Sequence, residues 1–226
     1  MNNSGVRSAG IGLAVVAALV MGAAGCRPTP TKAAGTATKA TDTAGAPVRN
    51  MAAGAGGGTG AACVFVKPDG AQKFGHVGWG FRITGTDQWV YGAVENPTNK
   101  LYTPPGGDIG AWHAQGTYTR MLSEMSRDAH YPGKSTHPYS RYRCTPSSTS
   151  DVGAARAMIR TVESRGFLVG VDPRTGELTS RDCLDATYDV LRAYRTRHLT
   201  PAPELDIPNV WVETLVLWSD RTLTPR

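Results

Sequence analysis

The sequence predicts an α+β domain in which an antiparallel sheet packs against two or three helices, following a disordered N-terminal tether. Residues 74–83 and 88–95 have the composition of two strands joined by a tight turn. Residues 151–165 and 183–194 instead carry apolar side chains at helical spacing. Local strand pairing together with separate helices is typical of this fold class.

Residues 1–25 have the composition of an export signal. Arg7 is the only charged residue before the apolar stretch 11–21, which is too short to span a membrane. Small residues then lead directly to Cys26. This order resembles a bacterial lipoprotein signal, which implies a diacylglyceryl group on the Cys26 thiol and cleavage before it. The chain would then be exported and held by membrane lipid at the outer face of the cell membrane. An ordinary secretory signal cut nearby is the alternative.

Residues 26–62 are predicted to be a flexible, lipid-anchored linker. The stretch consists mainly of Thr, Ala, Gly and Pro with a few cations, and it cannot bury a core. The remaining residues, 63–226, are enough for a single globular domain.

The formal net charge is +6, which allows contact with anionic headgroups or wall polymers, although a solvated surface is the simpler interpretation. Export argues against nucleic acid as a partner. The spacing of His130, His137 and Cys144 does not match a zinc site, and no phosphate-binding glycine loop occurs between a strand and a helix. We therefore expect no metal and no cofactor.

In the first half of the domain, residues 63–67 are predicted to form a strand, followed by the hairpin. Residues 96–116 are rich in Gly and Pro and are predicted to be irregular. Residues 118–127 are predicted to form a short helix. A long loop is expected over 128–149.

In the second half, Ser150 or Asp151 is predicted to cap the helix 151–165, and Gly166 suits its C-terminal end. A short strand over 167–171 and a turn follow. Ser180 or Asp182 is predicted to cap the next helix. The apolar run 210–217 is predicted to be a strand.

Four cysteines are present. If Cys26 carries lipid, one pair and one free thiol remain among Cys63, Cys144 and Cys183. We predict a disulfide between Cys63 and Cys144. A bridge between Cys144 and Cys183 is the alternative, and it would remove the free thiol.

Cys183 is predicted to lie where an extended segment gives way to a helix, and the helix dipole at that position favours a thiolate. The neighbouring carboxylate of Asp182 opposes it. A thiol nucleophile also needs a base, and the base needs an orienting partner. His76 is the one histidine predicted to lie inside a strand, so it is the candidate base.

The predicted hairpin suggests the orienting partner. If Ile83 and Gln88 face each other across the turn, the antiparallel register places Glu95 opposite His76. A shift by one residue would bring Asn96 there instead. Either side chain can accept a hydrogen bond from an imidazole.

Gly-His-Val-Gly-Trp at 75–79, a second strand, and Asp-Cys-Leu-Asp-Ala-Thr-Tyr at 182–188 follow one another in the chain. This order resembles the circularly permuted papain-like fold of NlpC-type peptidases and lecithin–retinol acyltransferase-like enzymes. The resemblance implies Cys183 as nucleophile, His76 as base, and Glu95 or Asn96 as the orienting residue. It implies a thiol hydrolase or acyltransferase for amides or esters, with peptidoglycan peptides favoured by location and lipid esters second.

A non-catalytic interpretation stands beside it. His76 could be a packed strand histidine and Cys183 a small core residue. The domain would then belong to an envelope lipoprotein that binds wall polymer or a protein partner, or that keeps only the cleft of an enzyme. Trp79 and Trp112 are candidates for lining a cleft, with Trp112 favoured because it lies in an irregular segment.

Overall fold

The computed structural model describes residues 59–131 and 137–224. The predicted export signal, the lipidation site Cys26 and most of the predicted tether lie outside these ranges. Within them, no helix is both long and apolar enough to cross a membrane.

The described residues form nine strands and four α-helices. The strands are β1 (Gly60–Lys67), β2 (His76–Arg82), β3 (Gln88–Val94), β4 (Tyr102–Thr103), β5 (Ala111–Thr117), β6 (Arg141–Ser147), β7 (Phe167–Val171), β8 (Leu178–Arg181) and β9 (Ser219–Thr222). The helices are α1 (Tyr118–Ser126), α2 (Val152–Ser164), α3 (Cys183–Ala193) and α4 (Pro208–Thr214). A short 3-10 helix covers Ala71–Lys73. This architecture confirms the predicted α+β class.

The main sheet has six antiparallel strands in the order β5-β3-β2-β1-β6-β9. A second sheet has three strands in the order β4-β7-β8. One face of the main sheet packs against α2, α3 and α4 through a core that includes Trp79, Ile159 and Trp211. The other face packs against α1 through a core that includes Phe65 and Met121. Because both faces are covered, the central strands are buried on both sides.

The β2–β3 hairpin adopts the predicted register. Gly78 lies opposite Ala93, and Arg82 lies opposite Trp89. β1 already includes residues 60–62, which the sequence assigned to the end of the tether. The predicted helices over 118–127, 151–165 and 183–194 and the short strand 167–171 are also present, with ends that differ by a residue or two.

Two segments that the sequence assigned to irregular structure contain strands. The segment 96–116 holds β4 and most of β5, and β5 is an edge strand with largely part-exposed residues and few apolar ones. The predicted loop 128–149 holds β6, which lies inside the main sheet. The sequence analysis missed β6 because the charges of Arg141 and Arg143 suggest a loop. In the structure, both side chains form ion pairs with Glu213 and Asp220.

The predicted strand 210–217 is wrong. The segment forms α4, which begins with Pro208 at its first turn, where proline is favoured because it has no N–H to leave unpaired. Pro208, Trp211 and Val212 are buried at helical spacing. A run of apolar residues this short does not separate a strand from a buried helix.

Cys63 and Cys144 form a disulfide, as predicted. The two residues are direct partners across β1 and β6. Cys183 is a free, buried thiol, so the alternative bridge between Cys144 and Cys183 is wrong.

Candidate active site

Three neighbouring strands bring buried polar side chains to one edge of the main sheet. Lys67 ends β1, and its Cα partner is His76, which begins β2. The register of β2 and β3 continues to Glu95, which lies just beyond the end of β3. Each of the three residues is less than a tenth exposed. Buried polar groups need partners, and these three provide partners for one another.

The imidazole of His76 lies against Glu95. His76 Nε2 is 3.1 Å from Glu95 Oε2 and 3.1 Å from the Tyr139 hydroxyl. The Tyr139 hydroxyl donates to Glu95 Oε1 at 3.0 Å. Asn96, the second candidate, does not reach the imidazole: it has a left-handed backbone with a φ of 43°, and its amide donates to the Lys100 carbonyl. Of the two candidates, Glu95 is therefore the one that contacts His76.

Cys183 also interacts with the imidazole of His76. It is the first residue of α3, and its electrostatic interaction with His76 raises the pKa of the imidazole. The thiol, the imidazole and a carboxylate thus form one chain of contacts, the arrangement that nucleophilic catalysis uses.

The charges in this chain of contacts support one another. Burial alone would lower the pKa of His76, but its interactions with Cys183 and with the Glu95 carboxylate raise it to about 10. Burial alone would raise the pKa of Glu95, but His76 and Lys67 hold it well below its usual value. The site therefore favours an ionised Glu95 and a protonated His76 over the neutral pH range.

The sequence analysis missed part of the site. Lys67 donates to Glu95 Oε2 and to Asp128 Oδ2, each at 2.8 Å. Its ammonium also lies 4.9 Å from the ring centre of Tyr131 and 4.4 Å from that of Tyr139. Pairing the predicted first strand with the strand of His76 would have revealed Lys67. Asp128 and Tyr139 carry no local signal, because they come from a segment predicted to be a loop.

The two tryptophans have different environments. Trp112 lies part-exposed on β5, and its indole N–H donates to Glu95 Oε1 at 3.1 Å. Its ring stacks on His130 with centroids 4.5 Å apart. Trp79 does not line a cleft, and that prediction is wrong: its side chain is fully buried in the core. Strand alternation turns Trp79 toward the face that the helices cover.

Asp182 caps the helix that carries the thiol. Its carboxylate accepts from the N–H groups of Leu184 at 2.7 Å and Asp185 at 3.1 Å, and the Asp185 carboxylate accepts from the Asp182 N–H. This capping box does not use the N–H of Cys183. Burial, together with the negative charge of Asp185, raises the pKa of Asp182 to about 6.

Asp182→Asn is expected to stabilise the protein above pH 6. Asparagine preserves the cap, since its carbonyl oxygen accepts the same N–H groups. The folded-state pKa of Asp182 lies above its unfolded value, so ionisation costs stability progressively as pH rises from about 4 to about 6. Urea unfolding should show a gain of about 1 kcal/mol at pH 7.5 and none near pH 4.

The matched control is Asp182→Ala, which loses both the cap and the ionisable group, so it should be about 1 kcal/mol less stable than the wild-type protein near pH 4 and close to it at pH 7.5. An asparagine variant that is less stable than the wild-type protein at pH 7.5 would contradict this prediction.

Comparisons with protein-family models, with curated proteins and with solved structures find no match to this chain. The functional interpretation therefore rests on the geometry around His76 and Cys183.

Proposed function

We propose that this domain is a cysteine hydrolase or acyltransferase that acts on amide or ester bonds. One observation carries the proposal: a buried imidazole interacts with both a free thiol and an ionised carboxylate. A small core cysteine and a packed strand histidine do not require this arrangement. Moreover, Glu95 is held by four side chains, those of Lys67, His76, Trp112 and Tyr139.

In the proposed reaction, Cys183 is the thiolate partner of the protonated His76, and its sulfur attacks the carbonyl carbon of the substrate. The N–H of Cys183, at the positive end of α3, donates to the oxyanion. The imidazolium of His76 then protonates the departing amine or alcohol, and a thioester remains on Cys183. Water or another acceptor attacks the thioester, His76 takes up its proton, and the acyl product leaves as the thiolate is restored. Glu95 orients the imidazole throughout and stabilises its charged form.

The order of a strand histidine before a helix cysteine supports a relation to the permuted papain-like enzymes. Lipid attachment at Cys26 would place the domain at the outer face of the membrane. We therefore propose peptidoglycan peptides as the favoured substrate class, with lipid esters second. The partners would be membrane lipid, through the acylated N-terminus, and cell-wall polymer or peptide.

The test is alkylation of the native, non-reduced protein with iodoacetamide between pH 5 and pH 9, mapped by mass spectrometry. We expect rapid modification of Cys183 near pH 6.5, where an unperturbed thiol is only about 1% ionised. His76→Ala should slow this modification by ten- to a hundredfold, or about 1.4–2.7 kcal/mol in activation free energy. The reason is that the imidazolium no longer stabilises the thiolate.

The matched control is His113→Ala, because His113 pairs with Glu163 on the surface and should leave the profile unchanged. The proposal would be contradicted if Cys183 is not alkylated until the protein is denatured, or if His76→Ala does not change its rate of alkylation. That result would favour a non-catalytic envelope lipoprotein.

A further inference from the structure

We propose that Lys67 is a positioning residue of this site: its ammonium group keeps Glu95 ionised and aimed at His76 in the presence of a competing carboxylate, Asp128. This inference rests on the proposed function, because it assigns Lys67 a role in the reactivity of the Cys183 thiol.

The first argument is geometric. Lys67 Nζ lies 2.8 Å from Glu95 Oε2, the same oxygen that lies 3.1 Å from His76 Nε2. A single carboxylate oxygen is therefore shared between the ammonium and the imidazole. The side chains of Lys67 and Glu95 are 5% and 1% exposed, so water does not weaken their contact. A short charge-assisted hydrogen bond of this kind fixes the direction of the carboxylate.

The second argument is the placement of Asp128. Its Oδ2 accepts from Lys67 at 2.8 Å, whereas its Oδ1 is buried without a hydrogen-bond partner. The residue also has a left-handed backbone with a φ of 52°. A buried, half-satisfied carboxylate on a costly backbone is held in place by its contact with the ammonium.

The third argument is charge balance. Two buried carboxylates share one ammonium, so removing the ammonium would leave two like charges facing each other. Such pairs take up a proton and share it, as coupled carboxylates do. Glu95 would then lose part of the charge that stabilises the imidazolium. The other titratable groups that face this cluster in the described part of the chain are His76, Tyr131, Tyr139 and Cys183.

The experiment measures the pH profile of Cys183 alkylation in Lys67→Met. We expect a new acid step between about pH 5 and pH 8, with modification slowed about tenfold at pH 6 and recovering at higher pH. Asp128→Asn leaves Lys67 on Glu95 and removes the competing carboxylate, so it should not show the acid step. The double variant Lys67→Met/Asp128→Asn should lose the acid step, because no second carboxylate shares the proton, but should stay several-fold slower than wild type.

A folded Lys67→Met protein with the wild-type profile would overturn the inference, since Lys67 would then only support the fold. If Lys67→Met does not fold, the charge-balanced double variant decides: a wild-type rate at every pH overturns the inference, and a several-fold slower rate supports it. If His76→Ala leaves the alkylation profile of Cys183 unchanged, both proposals are contradicted. A thiol that depends on His76 but not on Lys67 contradicts this one alone.

Discussion

Replacing Glu95 with alanine is expected to abolish the rapid alkylation of Cys183 and to lower the free energy of unfolding by about 3–5 kcal/mol. The substitution leaves the ammonium of Lys67 buried with only Asp128 as a charged partner. It also removes the acceptor of the Tyr139 hydroxyl and of the Trp112 indole. Urea unfolding at pH 7 measures the stability, and alkylation at pH 6.5 measures the thiol.

Glu95→Gln separates charge from shape. The amide keeps the volume and one acceptor oxygen, so we expect a smaller loss of stability than in Glu95→Ala. The negative charge that raises the pKa of His76 is lost, so the pKa of His76 should fall and alkylation should slow below pH 7.

Glu163→Ala is the surface control, since it breaks only a part-exposed pair with His113 and should change stability by less than about 0.5 kcal/mol. If Cys183 in Glu95→Ala is alkylated as fast as in the wild-type protein, the Glu95 carboxylate is not needed for the reactivity of the thiol.

Removing the disulfide has the second large expected effect. Cys63 and Cys144 are 81 residues apart in the chain, and a loop of this length constrains the unfolded state by about 4.5 kcal/mol in the chain-entropy model. Cys63→Ala/Cys144→Ala should therefore lower the free energy of unfolding by about 4 kcal/mol in urea titrations at pH 7.

The same double variant should leave the alkylation profile of Cys183 unchanged under native conditions, because the disulfide lies in the other core of the sheet. Equal stability with and without the bridge would show that the unfolded state is not constrained by it. A changed Cys183 profile would show that the bridge also supports the site.

Several parts of the fold and of the candidate site could be predicted because their signals are local. A two-strand register follows from turn length, so the hairpin predicted that His76 lies opposite Glu95 or, with a shift of one residue, Asn96. The start of α3 near Cys183 was predicted from the two candidate caps, Ser180 and Asp182, of which the structure uses Asp182. The choice of Glu95 over Asn96 could not be made in advance, since it depends on where the chain leaves β3.

The elements that were missed depend on distant partners. β6 contains Arg141 and Arg143, whose charges suggest a loop until Glu213 and Asp220 are seen beside them. β5 is an edge strand with little apolar pattern to detect. The apolar run that forms α4 is too short for periodicity to separate a strand from a helix.

The sequence by itself determined the α+β class, the β2–β3 hairpin and a helix that starts near Cys183, and it favoured a disulfide between Cys63 and Cys144 without excluding the alternative. Only the tertiary structure decided that Cys183 reaches His76, that Trp79 is core, and that Lys67, Asp128 and Tyr139 surround Glu95. The physical reason is range. Turn length, capping and hydrophobic period are set by residues that are close in the sequence. The partners of a buried charge come from segments that are distant in the sequence and that lie together only in the folded sheet.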